Sequence, residues 1–116
     1  MKKINLVFYL LIAVLLAGCG LSNSPKAAVK KFIEAVENND LAAMEAVSTE
    51  ETMQLVALYG WKMKGSLAEN GKVKSMTEYI DDDFAVVTVI FENNETTDIE
   101  LIRIDGKWKI FASMNK

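Results

Sequence analysis

Ser24-Pro25-Lys26-Ala27-Ala28-Val29-Lys30-Lys31-Phe32-Ile33-Glu34-Ala35-Val36-Glu37-Asn38-Asn39-Asp40-Leu41 carries a helix start, one apolar stripe, a stop and a second start in eighteen residues. The Ser24 hydroxyl can accept from an N–H of the first turn. Pro25, at the first helical position, lacks only an N–H that has no intrahelical partner there. Val29, Phe32, Ile33 and Val36 recur at i, i+3, i+4 and i+7, which puts them on one buried face. Asn38 and Asn39 mark the end, and Asp40 can cap a second helix in which Leu41, Met44 and Val47 repeat every three residues. Two helices therefore meet at a tight corner.

Downstream, Ser48 and Glu51 have the spacing of a capping box and predict a third helix over 52–59. Gly60 either stops it or lets it run weakly through Trp61 to Lys64. Gly65, Ser66 and Asn70-Gly71 predict a loop. From Lys72 the composition turns β-branched and aromatic, and strands fit at 72–80, 84–92, 97–104 and 107–114. Asp105-Gly106 reads as a two-residue hairpin in which both positions need positive φ. Asn93-Asn94-Glu95 supplies the preceding turn. The expected fold class is α+β: two to three N-terminal helices packed on a curved antiparallel sheet of three to four strands. Residues 84–91 are almost all apolar, so both faces of that strand should be covered. Ile99, Leu101, Ile102, Ile104, Trp108, Ile110 and Phe111 divide between two faces, which predicts either a sheet wrapped round its own pocket or a face used for dimerisation.

Upstream, Lys2 and Lys3 precede an unbroken apolar run over 6–17, shorter than the roughly 18–20 residues of a spanning helix. This is the layout of a secretory signal. Leu16-Ala17-Gly18-Cys19 at its end resembles the lipobox of bacterial lipoproteins. The resemblance implies cleavage between Gly18 and Cys19, diacylglycerol on the Cys19 thiol, and acylation of the new amino group. Two or three chains would anchor stably where one would not. Cys19 is the one cysteine of the chain, and lipidation would consume its reactive thiol. The expected organisation is a signal peptide over 1–18, a lipidated tether over 19–23 and one domain over 24–116. The expected site is the cell envelope: the outer membrane, periplasmic side, if the host has one, otherwise the outer face of the cytoplasmic membrane.

Zero histidines and one cysteine exclude a His-based triad, a His or Cys zinc cluster and an intramolecular disulfide, and no metal ligands or cofactor are expected. Without Lys2 and Lys3 the formal net charge falls from −3 to −5, so nucleic acid is not an expected partner. Lys62, Lys64, Lys72 and Lys74 read as a solvated face, and Asp81-Asp82-Asp83 as a strand-connecting turn.

The run 24–41, with its Pro-started helix, Phe32-x-x-Ala35 core face and Asp40 corner, resembles the opening of nuclear transport factor two-like (cystatin-like cone) domains. It is similar in particular to short bacterial lipoproteins whose domain has no assigned function. Asp105-Gly106-Lys107-Trp108-Lys109-Ile110 is similar to their closing hairpin. The resemblance implies a helix-covered cone that in some members binds and in others catalyses, so fold alone assigns no activity. Trp61, Glu78 and Tyr79 are the candidate pocket or rim residues, with Tyr59 beside them, and no residue is assigned as catalytic. Three functions stay open: a lipid-anchored binding domain for a small apolar ligand, an envelope peptide or protein, or a second copy of itself; a structural or inhibitory envelope protein acting through an apolar sheet face; and a small isomerase- or cyclase-like enzyme. An acid inside the concave face would favour the last.

Overall fold

The computed structural model describes residues 23–112; the leader, Gly18, Cys19 and Met114 lie outside the described residues. Three helices pack on one face of a four-stranded antiparallel meander of order β1-β2-β3-β4. Helix α1, Pro25–Glu37, starts as the sequence requires: the Ser24 side chain accepts the Ala27 N–H at 3.1 Å. Helix α2, Leu41–Ala46, is capped by Asp40, which accepts from Ala43 N–H at 3.1 Å. Asn39 turns the corner between them at φ 56°.

Helix α3 runs Glu50–Asn70, well past the expected stop at Gly60 and through the expected loop at Gly65 and Ser66. An interior glycine costs about 1 kcal/mol against alanine. That cost is small beside the packing gained against the core by Met63, beyond Gly60, and by Leu67, beyond both glycines. The stop is Gly71, at φ 83°, whose N–H bonds the Leu67 carbonyl at 3.1 Å. The start is also shifted by one: Thr49, not Ser48, is the N-cap, accepting from Thr52 N–H.

The strands are β1, Val73–Asp81; β2, Phe84–Phe91; β3, Thr96–Ile104; and β4, Lys107–Ile110. Asp105 and Gly106 take φ 51° and 79°, as their hairpin demands. Strand β4 is shorter than the expected 107–114. Beyond it, Ala112 N–H turns to the Thr52 hydroxyl at 2.8 Å, while the Ile110 carbonyl takes the Thr49 N–H. Period-two alternation separates the two faces of the sheet. Ala85, Val87, Val89, Phe91, Leu101, Trp108 and Ile110 face α1 and the other helices and are buried. Burying one such side chain stabilises by roughly 1.5–3 kcal/mol, so this layer carries the fold. The outer face holds Tyr79, Phe84 and Ile104 exposed and Val86, Ile90 and Ile102 half-buried. Only one face of β2 is thus covered by helices. Among the described residues the core lies between Ala28 and Ile110, so the segment from residue 23 onward contains a core of its own.

Candidate functional site

The short β4 leaves room on the inner face. Between α3, α1 and the first half of β3 lies a cavity of about 570 Å³. Its walls are apolar: Phe32, Ile33 and Val36 from α1, Met63 and Leu67 from α3, Phe91, Ile99 and Ile110 from the sheet. Tyr59, Lys62, Ser66 and Asn70 of α3 edge it on one side and residues 97–100 on the other. The α3 stripe that builds the helix wall exists because the helix continues past Gly60, and Asn70 fixes its end. The Asn70 side chain accepts from Asn93 Nδ2 at 2.9 Å, tying α3 to the β2–β3 turn.

Three polar side chains at this cavity, Thr52, Asn70 and Asp98, have structural partners. Thr52 Oγ1 donates to the Ile110 carbonyl at 2.8 Å, accepts from Ala112 N–H at 2.8 Å and lies 2.8 Å from Thr49 Oγ1. One donor and two acceptor sites are all a hydroxyl has, so Thr52 is saturated. The Asp98 carboxylate accepts from Thr88 Oγ1 at 2.7 Å on the outer side. An apolar concavity with a few polar groups at its margin is the usual form of a small-ligand site.

A second concavity, about 670 Å³, lies between α1, α2 and the β3–β4 hairpin and has Lys31, Glu34, Asp40 and Lys107 among its lining. It is a charged surface groove outside the cone.

The structure separates the residues singled out from sequence. Trp61 is 75% exposed on the outer side of α3 and lines neither concavity. Tyr79 is 65% exposed, opposite Val86 on the outer face of the sheet. Glu78 pairs with Val87 and so belongs to the inner face, but at an exposed edge, where its carboxylate accepts the Lys26 N–H at 3.1 Å. There it meets the N-terminal turn of α1, a favourable place for a negative charge. Tyr59 does line the cavity, and Trp108 is buried core. Of the acidic turn, Asp83 pairs with Arg103 at 3.0 Å, and Arg103 also lies 4.9 Å over the Trp108 ring and donates to the Asp82 carbonyl. Sequence reasoning missed Met63, Leu67, Asn70 and Thr97, whereas Ile99 was among the apolar residues that predicted a pocket. The spacing of Val56, Gly60, Met63 and Leu67, at i, i+4, i+7 and i+11, would have found the helix wall had glycine not been read as a stop.

No family model matches the chain, and no curated protein matches it by sequence. Among solved structures it is similar to the crystal structure of a protein described as "Putative NTF2-like transpeptidase" from Campylobacter jejuni, with a TM-score of 0.52 and 19% identity over 78% of this chain and 99% of that one. At that identity the likeness is one of fold: the chain has the nuclear transport factor two-like cone.

Proposed function

We propose that the chain is a lipid-anchored, extracytoplasmic binding domain whose cone cavity takes an apolar group. The observation that carries this reading is the cavity of about 570 Å³, walled by Phe32, Met63, Leu67 and Ile99, while the buried Thr52 hydroxyl is fully used by the Ile110 carbonyl, the Ala112 N–H and Thr49. A ligand there gains affinity by burying apolar surface, at about 25 cal/mol per Å² before the cost of association.

The anchor rests on Leu16-Ala17-Gly18-Cys19. Four residues lead from Cys19 to Asn23, whose side chain donates to the Gly106 carbonyl at 2.7 Å. That span is at most about 14 Å. An acylated Cys19 would therefore hold the end bearing Gly106 and Asp83 beside the headgroups. The cavity lies toward the other end, where Asn70 meets Asn93.

Native mass spectrometry of the chain from Ser22 to Lys116, purified without detergent, tests the binding reading. A retained small molecule or peptide, lost on replacing Leu67 with a polar residue, is the expected result. A bare chain that takes up no apolar compound would contradict it.

A second reading rests on the outer face, where Tyr79, Phe84 and Ile104 stand exposed together with half-buried Val86 and Ile102. That face suits an envelope protein or a second copy of this chain. Phe84→Glu would then abolish a dimer seen by analytical ultracentrifugation.

A further inference from the structure

The two rims of the cavity differ in charge. On the helix side Tyr59, Lys62 and Ser66 stand at i, i+3 and i+7 of α3 and all border the cavity. A phenol, an ammonium and a hydroxyl therefore follow one another along one helix face, with successive Cβ atoms about 5–6 Å apart. Met63 and Leu67, one position further round, form the apolar wall beside them. Of the four lysines expected on a solvated face, Lys62 borders the cavity, whereas Lys74 donates to Asn94 Oδ1 at 3.0 Å.

The sheet rim carries two acids, and the register turns both side chains away. Asp98 pairs with Thr88 and Glu100 with Val86, positions of the outer face, and the Asp98 carboxylate accepts from Thr88 Oγ1 there at 2.7 Å. The alternate residues Thr97 and Ile99 are the ones whose side chains face inward. Lys62 thus gives the mouth of an apolar cavity a positive charge. Lysine suits that place, because its four-carbon stem continues the apolar wall while its ammonium stays in water.

We infer that the occupant of the cavity is an anionic amphiphile: a hydrocarbon chain lying against Phe32, Met63, Leu67 and Ile99 and ending in a carboxylate that meets Lys62. This rests on the reading of the cavity as a binding site and names its ligand class. A carboxylate offers about four acceptor sites, enough for the Lys62 ammonium together with the Tyr59 and Ser66 hydroxyls. Donors to an ionised oxygen make the stronger class of hydrogen bond. A neutral chain buries the same apolar surface without that gain, and a cationic one sets two like charges at the mouth. The cavity, at about 570 Å³, lies within the roughly 300–1,000 Å³ of small-molecule sites.

The probes are decanoate, decan-1-ol and decylammonium, which share a chain and differ in head charge, each displacing the uncharged dye N-phenyl-1-naphthylamine from the Ser22–Lys116 chain at neutral pH. Decanoate should bind at least about fivefold more tightly than decylammonium, the upper scale of one solvent-facing ion pair. Lys62→Met, which keeps an apolar stem and removes the charge, should weaken decanoate about fivefold and leave decan-1-ol within about twofold. Lys62→Arg should retain the preference for decanoate, and added salt should erode it, since the mouth is open to solvent. Decylammonium binding as tightly as decanoate, or Lys62→Met weakening the acid and the alcohol alike, would overturn the anionic head while leaving the cavity reading intact. If neither the dye nor any of the three chains binds, the cavity reading itself is overturned.

Discussion

At the scale of single residues, two neighbouring hydroxyls make opposite contributions. Thr52 is buried and satisfies the Ile110 carbonyl and the Ala112 N–H. Thr52→Val keeps the shape and leaves the Ala112 N–H without its acceptor, while the Ile110 carbonyl keeps only the Thr49 N–H, so it should destabilise by about 1–3 kcal/mol in urea unfolding. Ser48 is equally buried, yet its hydroxyl has no hydrogen-bond partner among the described residues. Ser48→Ala removes a desolvated polar atom and should be neutral or stabilising in the same assay. Ser48 was the expected cap, and the one-residue shift to Thr49 explains its lack of work. Gly71 is the third case. At φ 83°, with a Cβ position 2.7 Å from Glu92 Oε1, it has no room for alanine. That same oxygen accepts the Lys72 N–H at 2.9 Å, so it cannot simply move away. Gly71→Ala should cost about 1–3 kcal/mol.

At the scale of elements, α3 decides whether there is a site at all. Gly65 sits in its interior with nothing within 4 Å of a Cβ placed there. Gly65→Ala should therefore raise stability by roughly 0.5–1 kcal/mol, read as a shift of the urea midpoint. A loss of stability would show that the helix needs glycine at this point. The first two helices and all three hairpin turns were legible because caps and positive-φ turn residues are local: Ser24, Asp40, Asn94 and Asp105-Gly106 determine their own backbone. The length of α3 was not legible, because it depends on Met63 and Leu67 meeting a sheet that begins only at Val73. Its apolar residues also face two ways, with Leu58 and Trp61 exposed, so no clean stripe marks the buried side. The end of β4 was hidden for the same reason. Thr52, far away in sequence, draws Ala112 out of the strand direction. The cavity wall follows from these two non-local facts, which is why Trp61, Glu78 and Tyr79 drew attention before Met63 and Leu67.

At the scale of the whole molecule, the cone offers two apolar surfaces with different consequences. The inner cavity beside β3 supports ligand binding, and the outer face around Phe84 and Ile104 supports association. Asn23 lies at the end opposite the cavity, so acylation at Cys19 would be compatible with an accessible mouth. Cys19→Ser should move the protein from the membrane to the soluble fraction or leave it unprocessed, scored by fractionation and intact mass; unchanged mature mass and membrane retention would contradict the anchor. The two surfaces differ in which of them takes a ligand. The most direct measurement is a methyl NMR titration of the Ser22–Lys116 chain with 1-anilinonaphthalene-8-sulfonate. Saturable shifts at one equivalent for the methyls of Met63, Leu67 and Ile99, with Ile102 and Ile104 unmoved, are the predicted result. Shifts confined to Ile102 and Ile104, or none at the cavity methyls, would contradict it.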